Sequence, residues 1–186
     1  MQNSGNIDSA LIQRHLEGDP LALGELDRRY RQRLHRYCAR LLDGRTRAED
    51  IVQIALTKAF LSIDTLEKPE SFYTWLFTIA RNEVYGILRS GADATPGVMT
   101  DDIFDSDTPF EILERGNTAD MVNNCLDRLS VSYREIIVLR HFEGLAYAEI
   151  AALTGESISA VESRLYKARR ALAQHLKPLW DERRTE

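Results

Sequence analysis

The sequence predicts an all-α protein of two small helical domains joined by an acidic, flexible linker, with a helix-turn-helix in the C-terminal domain. Apolar residues recur at three- and four-residue spacing along nearly the whole chain, and no stretch alternates with the period of two that a half-buried strand needs. Near the middle, "GADATPGVMTDDIFDSDTPFEI" has no periodicity and is rich in Gly, Pro, Asp and Thr. Charge divides the chain at the same place. Residues 1–90 hold 13 Lys or Arg against 12 Asp or Glu, residues 91–117 hold 1 against 7, and residues 118–186 hold 10 against 10. The net charge of −5 therefore resides in the central segment, which repels itself and extends. The expected domains are 1–90 and 118–186, with 91–117 as the linker.

In the first domain, Ile7 to Leu16 is a short amphipathic helix. "GDP" stops it and starts the next, with Asp19 as N-cap and Pro20 at the first helical position. That second helix places Leu21, Leu23, Leu26, Tyr30, Leu34, Tyr37, Cys38 and Leu41 on one side and ends at Asp43 and Gly44. Thr46 and Glu49 have capping-box spacing, so a third helix starts there and runs to about Ser62. "DTLEKPES" is a loop, and "FYTWLFTIARNEVYGILRS" is a strongly apolar fourth helix in which Trp75 reads as core.

After the linker, Asn117 to Leu129 and Ser132 to Phe142 are helices, the second with the pair Ser132 and Glu135 in capping-box register and a stop at Gly144. Ala146 to Thr154 is a short helix facing inward through Ile150, Ala151 and Leu153. Gly155 suits the left-handed residue of a tight bend. The last helix opens with Ser159 and Glu162 in capping-box register and buries Val161 and Leu165. From Arg164 to Lys177 it carries Arg164, Lys167, Arg169, Arg170 and Lys177 and no acid.

Several function classes are disfavoured. No apolar run approaches the roughly 20 residues of a membrane span, and the N-terminus lacks a signal-peptide core, so a cytoplasmic location is expected. Cys38 and Cys125 have no metal-ligand spacing and read as small buried apolar groups. His15, His35, His141 and His175 are scattered, and neither a Ser-His-Asp pattern nor a Gly-rich phosphate loop occurs. No enzyme activity and no cofactor are expected. A pI of about 5.5 speaks against nucleic acid only on average, because phosphate binding depends on clustering on one face. A basic helix behind a tight bend fits the reading helix of a helix-turn-helix, lying in the major groove.

"LSVSYREIIVLRHFEGLAYAEIAALTGESISAVESRLYKARRAL" resembles the −35-reading domain of extracytoplasmic-function sigma factors, specificity subunits of bacterial RNA polymerase. "AEDIVQIALTKAF" resembles that family's polymerase-binding helix, and "FYTWLFTIARNEV" its −10-binding helix. The resemblance spans nearly the whole chain in order. It implies binding to core polymerase, at the coiled coil of the largest subunit's clamp and at the flap, through Asp50, Gln53, Ile54, Lys58 and Phe60 for the clamp contact. Asp50, Gln53 and Ile54 share a face by spacing, while at least one of Ile54 and Phe60 reads as core.

The resemblance further implies that the loop from Asp64 to Ser71 captures an unstacked base of the −10 strand. Lys68, Ser71, Phe72, Tyr73 and Asn82 would supply the wall and the donors. Ser159, Ala160, Glu162, Ser163, Arg164 and Lys167 map onto the −35 readers, with Arg169 and Arg170 clamping phosphates. Promoter DNA and an anti-sigma factor, often membrane-bound in this family, are the other implied partners, and the linker would pass through the RNA-exit region. The chain departs from the family at Ser159 and Ala160, which replace a common Gly-Thr, and at Glu162, which stands at a commonly basic position. It also has a reduced basic run after Arg89. The alternatives are a sigma-like decoy that occupies an anti-sigma factor without directing transcription, and a stand-alone repressor, which leaves the first domain unexplained.

Overall fold

A computed structural model describes residues 2–42, 45–90 and 119–183, and all regular structure among them is helical. The chain divides into two compact units, Met1–Ala94 and Thr95–Glu186. The expected linker, residues 91–117, lies outside the described residues, as do Asp43 and Gly44.

The first unit contains α1 (Gln2–Leu16), α2 (Ala22–Leu41), α3 (Arg45–Leu61) and α4 (Phe72–Arg89). α2 packs on α1, α3 and α4, and α3 packs on α4. Leu26, Tyr30, Leu34, Tyr37, Cys38 and Leu41 form the buried stripe of α2 as their spacing requires, but Leu21 is 69% exposed and Ala22 takes the inward position. Asp19 holds the start of α2 through its carboxylate, which accepts the Leu21 N–H at 2.9 Å and pairs with Arg14 at 2.6 Å. α3 begins at Arg45, so Thr46 lies inside its first turn rather than at its cap. Between α3 and α4 the chain makes two 3₁₀ turns, Ile63–Thr65 and Pro69–Ser71, the second of which packs against α1.

Aromatic rings fill the middle of this unit. Phe72 meets Tyr30 edge-on at 5.4 Å and Phe77 lies 5.2 Å from Tyr37. The buried carboxylate of Asp8 joins α1 to α2, accepting from Arg29 Nε at 3.1 Å and from the Tyr30 hydroxyl. Burial and that bond to Asp8 hold the phenol strongly protonated. Cys38 is fully buried, and burial pushes its thiol up to about 12, which suits an apolar filler.

The second unit contains α5 (Ala119–Asp127), α6 (Val131–Ile137), which runs into a π turn over Val138–Phe142, α7 (Tyr147–Thr154) and α8 (Ile158–Arg183). Arg134, 9% exposed, gathers the last carbonyls of α5, donating to Leu126 O at 2.9 Å and Asp127 O at 2.8 Å. Those oxygens would otherwise be orphaned at the helix end. Ser130, not Ser132, caps α6, its hydroxyl accepting the Tyr133 N–H at 3.4 Å. Ser157, not Ser159, caps α8, accepting the Ala160 N–H at 3.2 Å. Gly155 ends α7 with φ +74°, in the left-handed region, and so turns the chain into α8. Among the described residues no helix is long and apolar enough to cross a membrane.

Candidate protein and nucleic-acid interfaces

The outward side of α3 is set by its inward one. Ala48, Ile51, Val52, Ala55, Leu56 and Ala59 are buried, so Asp50, Gln53, Ile54, Thr57, Lys58 and Leu61 form the exposed stripe. Four of the five residues expected to contact polymerase stand on that stripe. Phe60 does not, being half-buried beside Ala59. Ile54 is 42% exposed and Leu61 81%, seven residues apart and hence on one face. Leu61 escaped the sequence reading because a leucine at a helix end looks like core. Intramolecular bonds fix two polar members of the stripe. Arg31 of α2, itself clamped by Asp27 at 2.6 Å, donates to Gln53 Oε1 at 3.2 Å, and Lys58 pairs with Glu83 of α4 at 2.6 Å.

The residues expected around the −10 loop are not all together. Lys68 is exposed at the start of the second 3₁₀ turn, and Ser71 closes that turn by donating to Lys68 O at 2.7 Å. Phe72 is fully buried against Tyr30, so its ring belongs to the core and cannot line a base pocket. Tyr73 is half-buried between Phe77, at 4.3 Å, and the Arg33 guanidinium, at 4.5 Å. The group offered to solvent on that side is thus the edge of an arginine–aromatic stack, which spacing on α4 alone does not reveal. Trp75 is half-buried rather than core. Asn82 is exposed, but ten residues along α4, about 15 Å beyond Phe72 at 1.5 Å per residue.

On α8, Val161, Leu165, Ala168, Leu172 and Leu176 face inward. Ser159, Ala160, Glu162, Ser163 and Lys167 are exposed on the outward side, together with Tyr166 at 59%. Tyr166 was missed because an aromatic beside a buried leucine reads as packing. Its ring carries Arg170 at 5.8 Å.

Arg164 departs from its expected role. Its side chain is 13% exposed, donates to Ser132 Oγ at 3.2 Å, pairs with Glu156 at 2.9 Å and reaches the fully buried Glu135 at 4.0 Å. It ties α6, the turn and α8 together instead of facing a groove. Arg169 is half-buried and donates Nε and Nη2 to His141 Nε2, each at 3.3 Å. Burial, then the charges of Arg169 and Arg140, hold the His141 imidazole down at about 4, so it is neutral and can accept. Among the described residues no cluster of His, Cys, Asp and Glu is arranged to hold a metal ion.

Two family models match in the order the two units are laid out: sigma-70 region 2 over residues 26–93, and sigma-70, region 4 over residues 119–172. The chain belongs to the extracytoplasmic-function group of the sigma-70 family. Sigma factors are transcription initiation factors. An extracytoplasmic-function RNA polymerase sigma-E factor of Haemophilus influenzae is 28% identical over 183 residues, covering 92% of this sigma factor and 96% of its own length. The RNA polymerase sigma-H factor of Pseudomonas aeruginosa is also 28% identical over 183 residues, covering 92% and 95%. Among solved structures, CnrH in complex with the cytosolic domain of CnrY superposes with a TM-score of 0.70 at 26% identity, covering 92% of this chain and 98% of that one. The sigma factor RpoE in complex with the anti-sigma factor NepR, from Bartonella quintana, gives 0.67 at 28% identity, covering 84% and 98%. The all-α architecture is that of its family.

Proposed function

We propose that this chain binds core RNA polymerase and directs it to promoters that carry paired −10 and −35 elements, under the control of an anti-sigma factor. The outward row of α8 carries this reading: Ser159, Ala160, Glu162, Ser163, Tyr166 and Lys167 stand exposed on a helix that follows a left-handed glycine turn. Short polar side chains at the helix start suit base edges, a tyrosine suits a thymine methyl, and Glu162 can accept from a cytosine amino group. Arg170 and Lys167 serve phosphates.

Residues 1–90 act as the core-binding and −10-binding domain and residues 118–186 as the −35-binding domain. The stripe Asp50, Gln53, Ile54, Lys58 and Leu61 docks on polymerase. Lys68, Ser71 and the Arg33–Tyr73 stack lie where an unstacked −10 base can be held. The chain acts in the cytoplasm as a binding subunit and catalyses no reaction of its own.

Transcription of sheared genomic DNA by core polymerase, with and without the protein, followed by sequencing of transcript starts, tests this. New starts that share two spaced upstream elements are expected. Core binding without new starts transfers the weight to the decoy, which the exposed acid Glu162 on the reading face favours.

A further inference from the structure

Two guanidinium groups flank His141 at the π turn, and neither has a carboxylate partner. Arg140 donates from Nη1 to Leu145 O at 2.8 Å and lies over the Tyr147 ring at 5.1 Å. Arg169 reaches across from α8 and gives two N–H groups to His141 Nε2. Both arginines are half-buried. Among the described residues neither forms an ion pair, whereas Arg14, Arg29, Arg31, Arg134 and Arg164 all do. The acceptors that hold Arg140 and Arg169 are a carbonyl, an aromatic face and an imidazole, all neutral. Each guanidinium is therefore fixed in direction while its charge stays uncompensated.

Partly desolvated cations held without counter-ions are costly unless an anion completes them. Rigid guanidinium forks match phosphate oxygens in shape. We propose that Arg140 and Arg169 form a binding site for a phosphate of the DNA backbone, with His141 as the positioning residue that aims Arg169. The inference rests on the reading of α8 as a DNA-contacting helix. DNA is the source of the phosphate because the site is bordered by Tyr147, at the start of α7, and by α8 itself. In a docked helix-turn-helix, those two elements face the backbone beside the base pairs being read.

Polymerase holoenzyme assembled with the full chain is titrated with a promoter fragment recovered by start-site mapping, across a range of salt concentrations. Arg140→Ala and Arg169→Ala should each make the slope of log affinity against log salt shallower by about 0.9, one phosphate contact. His141→Glu supplies Arg169 with an internal counter-ion, so it should melt no lower than wild type and yet bind DNA severalfold more weakly. A merely structural histidine would not separate melting from binding in this way. Slopes equal to wild type in both arginine variants would overturn the site. Disappearance of the variant effect when inorganic phosphate replaces chloride at matched ionic strength would overturn the DNA source, because free phosphate would then be the occupant. If no promoter is recovered, it is the function proposed above that has failed.

Discussion

Arg164 of α8 and Glu156 of the turn before it meet at 2.9 Å with the arginine side chain only 13% exposed. An arginine in the middle of a basic helix therefore serves the shape of the DNA-reading unit before it serves any ligand. Arg164→Ala should lower the stability of the second unit by about 2 kcal/mol. That is less than the 3–5 kcal/mol of a fully buried pair, because Glu156 is partly solvated. Thermal unfolding followed by circular dichroism would report it. The idea fails if the variant melts like wild type while losing only promoter activity.

Tyr166 behaves in the opposite way. At 59% exposure it contributes little to the core, so Tyr166→Ala should change stability by no more than about 0.5 kcal/mol and weaken promoter binding about tenfold. A filter or anisotropy titration of the holoenzyme on its promoter measures the loss. Undiminished binding would show that the ring faces away from DNA.

On α3, Gln53→Ala and Asp50→Ala should each weaken core binding severalfold, and Leu61→Ser about tenfold, since each removes part of the exposed stripe. Competition against another sigma factor for limiting core polymerase gives the ranking. Leu21→Ser serves as the reference, an equally apolar and 69% exposed site on another helix. If Leu61→Ser competes as well as Leu21→Ser, the stripe stops short of Leu61.

His141 makes stability depend on pH. Its folded pKa of about 4 lies below the ordinary 6.5, so on acidification the unfolded chain takes up the proton first. Its contribution is whole above about pH 6.5 and is lost as pH falls from there through 4. Melting temperature should therefore drop more steeply across that window in wild type than in His141→Gln. Parallel curves would mean that the imidazole is solvated in the fold.

The helices were legible because burial follows their 3.6-residue period, which the apolar pattern records directly. The caps were less so. Ser132 and Glu135 have the spacing of a capping box, yet that same spacing puts both on one face, where Arg164 uses them. Ser130 and Ser157, two residues earlier in each case, do the capping. The role of Arg164 was present in the sequence but unread: it is three residues after Val161 and four before Ala168, on the buried side. Charge composition hid what position disclosed. The His141–Arg169 and Arg31–Gln53 bonds join residues 28 and 22 positions apart, and spacing along one helix carries no trace of them. Phe72 was misplaced for a related reason, since apolarity alone does not separate a wall for a base from a wall of the core.

The π turn at Val138–Phe142 closes with Glu143 N–H reaching back five residues to Val138 O at 3.0 Å. A turn of this width holds one residue more than an α-helical turn. Deleting a single residue there would restore ordinary winding and rotate everything after it by about 100° around the α6 axis. His141 would swing away from Arg169, and Arg140 away from Tyr147. The chain thus stores an angular setting in one surplus residue, and an insertion or deletion at that point would misalign the unit as surely as the loss of a contact.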